Sequence, residues 1–346
     1  EDGASRYVYM CGMSDCFCIW FAICLMAEKT PQNNNEITNQ CAFHRNSTNI
    51  NMVQVLQRIK DSKPITIKQI AAETNRLIHH NGARIISLSQ GSPNLPLFPM
   101  ARQSMIQCIE SAQSLPYTDV QGLASVRQVA AQFINQMYFD TPESQTQTQS
   151  LLQSDQSTRY TMDHVMITAG AVQAVYNVLA MSIECSSDVV LCPLPAYGLY
   201  RHQTELLGGT FVPVETRSDH HDDSDDSDDG DVYIPTVDDL RQVFNRYNNG
   251  GQQIKSIVLC YPNNPVGSCL TAHQAQQLAQ FLDEQLEVTN NGFSIILDEV
   301  YFGILNQTNE SDATSDRLIP HVSILQYASE RVLRNSFLIL SASKGL

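Results

Sequence analysis

The chain has 346 residues, 42% of them hydrophobic, which is enough for one large domain or two ordinary ones around a sizeable core. Its net charge is −15, and seven aspartates are gathered between His220 and Asp231, so the remainder carries −8 (−15 plus 7). That balance argues against nucleic acid as a partner, since phosphate binding needs basic surface.

Ten cysteines are scattered along the chain, four of them between Cys11 and Cys24. Several stand singly inside apolar runs and no CxxC pair faces another. Neither a disulfide framework nor a zinc site is expected, and the chain reads as reduced and cytoplasmic.

Residues 1–51 read as an N-terminal extension and linker. The sequence opens on Glu1 rather than Met, as a cut or displaced start would. Residues 16–26 are continuously apolar, which leaves organelle targeting or anchoring open. The run is shorter than the ~20 residues of a spanning helix. Asp15 interrupts the longer apolar stretch, and a basic start and a clear cleavage site are both lacking. An unstructured extension and no membrane association are the expectation. Residues 30–51, rich in Asn, Thr and Gln, read as a linker.

Helical spacing begins near Met52, with Val53, Leu56 and Ile59, and resumes with Ile67, Ile70 and Leu77 beyond Pro64. A short strand is expected over 85–88, running into a Gly- and Pro-rich loop over 90–96. Helices are expected over 100–114 and 123–137, with a loop over 116–122 between them. A polar insertion covers 141–159. A regular alternation follows. Strands are expected over 165–168, 188–192, 210–215, 257–260, 293–297 and 337–340. Helices are expected over 171–182, 197–207, 237–247, 272–286 and 319–331. This order predicts an α/β fold, a mostly parallel mixed sheet with helices on both faces. The acidic run within 218–231 resembles the start of a calcium loop. Thr236 stands where that loop needs a glutamate, however, and a solvated surface insertion is the better reading.

Four strand ends carry unusual residues. After the first comes Gly170-Ala171-Val172, opening a helix whose free N–H groups suit a phosphate, although a plain turn would look the same. After the 257–260 strand, Asn264 sits in a loop stiffened by Pro262, Pro265 and Gly267. A rigid turn accounts for it, and so does a positioned amide donor. After the 293–297 strand, Asp298 ends an apolar run, where an unpaired charge is costly. It could cap a helix, hold a metal or pair with a ligand cation, and capping suits the local sequence best. After the last strand come Ser341, Ser343 and Lys344. A lysine amine forms a Schiff base with an aldehyde, an aspartate holds a pyridine nitrogen protonated, and a serine with backbone N–H groups takes a phosphate. Aldehyde, pyridine and phosphate together describe pyridoxal 5'-phosphate.

The motifs SQGSPNLP, YTDVQGLASVR, ITAGAVQAV, LCPLPAYGLY, YPNNPVG, LDEVYFG and SASKG occur in this order between Ile85 and Leu346. From Ile85 onward the chain resembles the class I/II aminotransferases of the fold-type-I pyridoxal-phosphate family, with features similar to alanine aminotransferase-like members. The resemblance implies residues 52–90 as a helical part of the small domain and 91–346 as the large cofactor-binding domain, incomplete at its C-terminus. It implies Lys344 as the Schiff-base residue and proton shuttle, and Asp298 as partner of the pyridinium nitrogen. Tyr301 and Asn264 would bond the ring oxygen, and Tyr197 would stack on the ring. Gly170, Ala171 and Val172 with Ser341 and Ser343 would bind the phosphate. Tyr117 would reach the phosphate of a neighbouring subunit, hence a homodimer, and Gly91 would lie against the substrate carboxylate. The substrates implied are an amino acid and a 2-oxo acid, exchanging an amino group by ping-pong kinetics. Two departures stand out. Val266 occupies a position where Thr is common, and the segment with the carboxylate-binding arginine does not follow Lys344. Another pyridoxal-phosphate lyase or synthase, or a non-catalytic relative, would share the same cofactor residues. A nucleotide-binding Rossmann protein is excluded by the lack of GxGxxG after the first strand.

Overall fold

The computed structural model describes residues 7–11, 66–81, 85–86, 96–111, 117–139, 160–216, 233–248, 252–289, 292–303 and 321–343. The described elements are β1 (Tyr7–Cys11), α1 (Thr66–Asn81), α2 (Pro99–Ser111), α3 (Ala124–Tyr138), β2 (Val165–Thr168), α4 (Ala171–Ser182), β3 (Asp188–Pro193) and α5 (Leu199–Leu207). They continue with β4 (Thr210–Val214), α6 (Val237–Asn248), β5 (Gln253–Cys260), α7 (Ala272–Val288), β6 (Ser294–Asp298), α8 (Glu330–Arg334) and β7 (Ser336–Ser341).

The seven strands form one sheet in the order β2-β1-β7-β6-β5-β3-β4, and each ladder between neighbours is parallel. Every residue of β3 and β7 is buried. Strands covered on both faces read as continuous apolar runs rather than as alternating ones, which is why these were recognisable. The period of two divides the core into two layers. Val189, Leu191, Ile257, Leu259, Ile295, Leu297, Leu338 and Leu340 point into one layer, with α3, α6, α7 and α8. Val190, Cys192, Val258, Cys260, Ile296, Phe337 and Ile339 point into the other, with Ala174, Val175, Val178 and Leu179 of α4 and Tyr200 of α5. Each such leucine or isoleucine stabilises the fold by roughly 2 kcal/mol relative to exposure.

Three expectations are corrected. Residues 7–11 form a strand within the sheet, where an unstructured extension was expected. Ile85 and Ile86 are exposed and lie in no strand. The helix expected over 319–331 is two short pieces, a 3-10 turn at Ile324–Tyr327 and α8. Each has its own serine cap: Ser323 Oγ accepts from Leu325 N–H and Ser329 Oγ from Val332 N–H. A hydroxyl that satisfies a new helix start ends the previous run and resets the axis. The acidic insertion lies outside the described residues, as do the loop 90–95 and the 141–159 insertion.

The loop before α3 is fastened to β2. Gly122 has φ +95°, and a Cβ there would lie 2.7 Å from Ile167 Cγ1. Ile167 N–H donates to Gln121 O at 2.9 Å. The buried Arg127 donates to Gly122 O at 3.1 Å and to Met162 O at 2.7 Å. This guanidinium is consumed by backbone carbonyls and belongs to the scaffold.

Candidate active site

Because the ladders are parallel, the carboxyl ends of the strands share one edge, where ligands of open α/β sheets bind. Register sets Cys260 beside Asp298 and Asp298 beside Ile339, and it sets Ser341 and Thr168 on either side of Cys11. The strand ends singled out by sequence therefore lie along one edge.

Asp298 is 5% exposed. Tyr200 Oη donates to its Oδ2 at 2.6 Å, while Val300 N–H reaches Oδ1 only at 3.4 Å. The local reading of Asp298 as a helix cap does not hold, since residues 300–303 form turns and its short bond comes from α5. Among the described residues no cation pairs with it. Burial pushes its pKa up from 3.8 to about 6, the Tyr200 hydroxyl and Val300 N–H pull it down, and the Glu299 charge raises it. A buried carboxylate held this way is complementary to a cation brought by a ligand.

Asn264 and Tyr301 meet beside it. Asn264 Nδ2 donates to Tyr301 Oη at 3.0 Å. Burial, then Cys260 and Asp298, raises the Tyr301 pKa, so its phenol stays protonated and its own proton is available to an acceptor. The Asn264 loop is pinned by its neighbour: Asn263 Nδ2 donates to Pro195 O at 3.2 Å and Asn263 Oδ1 accepts from Val266 N–H. The Tyr261–Pro262 and Asn264–Pro265 peptide bonds are cis. Tyr197 is partly buried, edge-on to Tyr200 at 5.9 Å and 87°.

At the other end, Gly170 adopts φ +85° as the residue before α4. Its carbonyl accepts from Gln173 and Ala174 N–H. The first-turn N–H groups of Ala171 and Val172 have no acceptor within the helix, the arrangement that suits an anion at a helix N-terminus. Ser341 Oγ and Ser343 Oγ lie 2.7 Å apart, and Ser343 N–H donates to Ser341 Oγ. Tyr117 is fully exposed. Gly91 and Lys344 lie outside the described residues, although Lys344 follows Ser343 directly.

The sequence profile of "Aminotransferase class I and II" matches residues 83–337. The chain belongs to the class I and II aminotransferases. Among similar proteins, glutamate–glyoxylate aminotransferase 2 of Arabidopsis thaliana is 27% identical over 230 residues, covering 63% of this chain and 40% of the relative. The aspartate aminotransferase of Bacillus sp. (strain YM-2) is 23% identical over 290 residues, covering 83% and 59%. In fold, the chain is similar to the aspartate aminotransferase of Thermus thermophilus solved with maleate, with a TM-score of 0.61, 18% identity, and 85% of this chain and 61% of that one covered. Alanine aminotransferase of Pyrococcus furiosus gives a TM-score of 0.57 at 18% identity, over 79% and 56%. The chain thus spans less than two thirds of the length of these relatives.

This aminotransferase family uses pyridoxal phosphate, and the residues present fit that group. Among the described residues the buried Asp298 has no cation beside it, as a site for a protonated ring nitrogen requires. Open N–H groups and two serines suit a phosphate at the opposite end. Two features of the edge were missed by sequence reading. Tyr200 was passed over as a helix residue, although it follows Tyr197 by three and faces inward. Glu299 is 4% exposed and accepts from Tyr138 Oη at 2.8 Å and Ser323 Oγ at 2.6 Å, and its Oε2 lies 2.6 Å from His321 Nε2. No local pattern reveals either, because their partners are distant in sequence.

Proposed function

We propose that the protein transfers an amino group from an amino acid to a 2-oxo acid, with pyridoxal phosphate bound along this strand edge. The observation that carries the reading is Asp298, a buried carboxylate with no cation among the described residues, aligned by register with the neighbouring strand ends. When bound, the cofactor supplies an electrophilic carbon for an amine and an electron-withdrawing ring that accommodates negative charge from the substrate Cα.

The chain's own residues supply the rest. Asp298 holds a proton on the ring nitrogen. Tyr301, steadied by Asn264, donates to the ring oxygen. Tyr197 covers one face of the ring and excludes water from it. The N–H groups of Ala171 and Val172, with Gly170, Ser341 and Ser343, bind the phosphate. Lys344 supplies the amine that anchors the cofactor and is displaced by substrate. Once free, its neutral amine takes the Cα proton and returns it one position away, as a general base and then a general acid. By the family resemblance, Gly91 would lie against the substrate carboxylate.

We further read the protein as a homodimer. Phe98, Met100, Ile109, Val120, Leu123 and Val129 are all exposed, and α2 buries none of its residues. Such a concentration of apolar surface needs a cover. Tyr117 lies in the same stretch, where it could serve the site of a second copy.

The test is a half-reaction with the full-length protein. It is expected to bind pyridoxal phosphate with a visible absorbance, and borohydride is expected to attach the cofactor to Lys344. Adding alanine, aspartate or glutamate alone should convert the bound cofactor to its amine form and release a 2-oxo acid. Release of ammonia in place of the amine form would show a lyase. An unchanged visible band in Lys344→Ala would remove Lys344 from the reaction.

A further inference from the structure

Asp298 cannot do its work on burial alone. A buried carboxyl with no partner takes up a proton near neutral pH, and a neutral acid is a poor acceptor for a ring N–H⁺. From the α5 side one group bears directly on its ionisation, Tyr200. Tyr200 is 1% exposed, and its hydroxyl donates to Asp298 Oδ2 at 2.6 Å. That length is typical of a hydrogen bond to an ionised oxygen.

The rest of the structure holds Tyr200 in place. Leu199, Tyr200, Gln203 and Thr204 form the buried face of α5. Gln203 Nε2 donates to Val172 O at 2.8 Å, fixing α5 against the first turn of α4. Tyr197, the proposed ring cover, lies edge-on to Tyr200. One short segment, Tyr197 followed by α5, thus links the phosphate end, the ring face and the carboxylate. Among the described residues, the remaining titratable groups around Asp298 are Cys260 on β5, Cys192 on β3, and Glu299 and Tyr301 after β6. Both thiols stay protonated because burial raises them, Cys260 to about 12. Glu299 adds negative charge. Of these, Tyr200 alone places a short donor on the carboxylate.

We infer that Tyr200 is a positioning residue for Asp298: its hydroxyl ties Oδ2, keeps the carboxyl ionised, and leaves Oδ1 as the acceptor for a protonated ring nitrogen. The inference rests on the cofactor reading above and adds to it the group that makes Asp298 competent. Removing the donor raises the proton affinity of Asp298. The proton shared with the ring nitrogen then passes toward the carboxyl, leaving the ring nitrogen deprotonated at lower pH, while packing is largely kept by phenylalanine.

The experiment uses the full-length protein and pyridoxal phosphate labelled with ¹⁵N in the ring. The ¹⁵N shift of the bound cofactor is followed against pH, beside its dissociation constant. Wild type is expected to keep the ring nitrogen protonated through pH 8. In Tyr200→Phe the midpoint for losing that proton is expected to fall by about one pH unit, with affinity about tenfold weaker, the size of one hydrogen bond to a charged group. Site-specific 3-fluorotyrosine at position 200 keeps the shape and strengthens the donor, so its midpoint should move the opposite way. This second variant decides the matter if Tyr200→Phe fails to fold. A wild type that does not bind the cofactor sinks both the inference and the reading beneath it. A wild type that binds, with the ring-nitrogen titration unmoved in 3-fluorotyrosine and any folded Tyr200→Phe, leaves the cofactor reading standing and overturns the role of Tyr200.

Discussion

Tyr138 and Glu299, 161 residues apart in sequence, are joined by a 2.8 Å hydrogen bond inside the core. Glu299 also takes the Ser323 hydroxyl and pairs with His321 at 2.6 Å, and its own N–H donates to Ile339 O at 2.9 Å. One carboxylate therefore clips the end of α3, the end of β6 and the segment entering α8. Phe302 packs around the clip, 4.9 Å from the His321 ring and stacked on Tyr138 at 5.7 Å. The residue before Glu299 is Asp298, so the clip also sets where that carboxylate stands.

Cutting the clip is expected to cost stability in proportion to what is left unpaired. Glu299→Ala strands three donors in a dry core and should destabilise by about 3–5 kcal/mol. Tyr138→Phe removes one donor and should cost about 1–3 kcal/mol. Urea unfolding of both variants checks the ranking. If Tyr138→Phe proved the more damaging, the network would not be centred on Glu299.

Asp298 makes the opposite prediction for stability. Its folded pKa is about 6 against 3.8, so between these values the folded state holds a proton that the unfolded chain has released. Stability therefore falls as pH rises through that window and is level above it with respect to this group. The shift corresponds to something on the order of 3 kcal/mol at neutral pH. Asp298→Asn is thus expected to stabilise the cofactor-free protein at pH 7.5, with the gain shrinking as pH falls below about 6, while cofactor affinity collapses. Denaturant titrations at pH 5 and pH 7.5, with and without pyridoxal phosphate, test both halves. Stabilisation independent of pH would show that Asp298 is not the titrating group.

The contrast between these two acids shows what the chain disclosed. Asp298 was legible because it ends a continuous apolar strand, an environment set by adjacent residues. Glu299 and Tyr200 were not, because what gives each its meaning comes from α3, β6 or the 321–323 segment, far along the chain. The same holds for β1. Tyr7–Cys11 has too few residues for a period, and only its pairing with β2 and β7 makes it a strand. The break at Ser329 could have been read locally, since a serine followed by Glu330 is an ordinary helix start.

Gly122 offers a test of how the Tyr117 loop is held. A Cβ at φ +95° is strained, and it would sit 2.7 and 2.8 Å from Ile167 side-chain atoms. Gly122→Ala is expected to destabilise by about 1–3 kcal/mol. Because Ile167 lies on β2, just before the Gly170 turn, cofactor affinity should fall as well. Gly122→Ala with Ile167→Val relieves the contact and not the backbone, so it should recover only part of the loss. Full recovery would place the whole penalty in the contact.

Asn264 and Tyr301 are expected to act as a unit. The 3.0 Å bond from Asn264 Nδ2 to Tyr301 Oη directs the phenol proton away from Asn264 and toward the space beside Asp298. Tyr301→Phe removes the donor to the cofactor's ring oxygen and should raise the pH midpoint of the bound cofactor's visible band by about one unit, since an anionic oxygen loses its hydrogen bond. Asn264→Ala should shift the midpoint less if it acts chiefly by orienting Tyr301. The double variant should then resemble Tyr301→Phe alone, with a coupling of about 0.5–3 kcal/mol in cofactor binding. Spectral titrations and dissociation constants of the four proteins complete the cycle. Additive effects would mean that Asn264 reaches the cofactor independently and that its bond to Tyr301 does not orient the phenol.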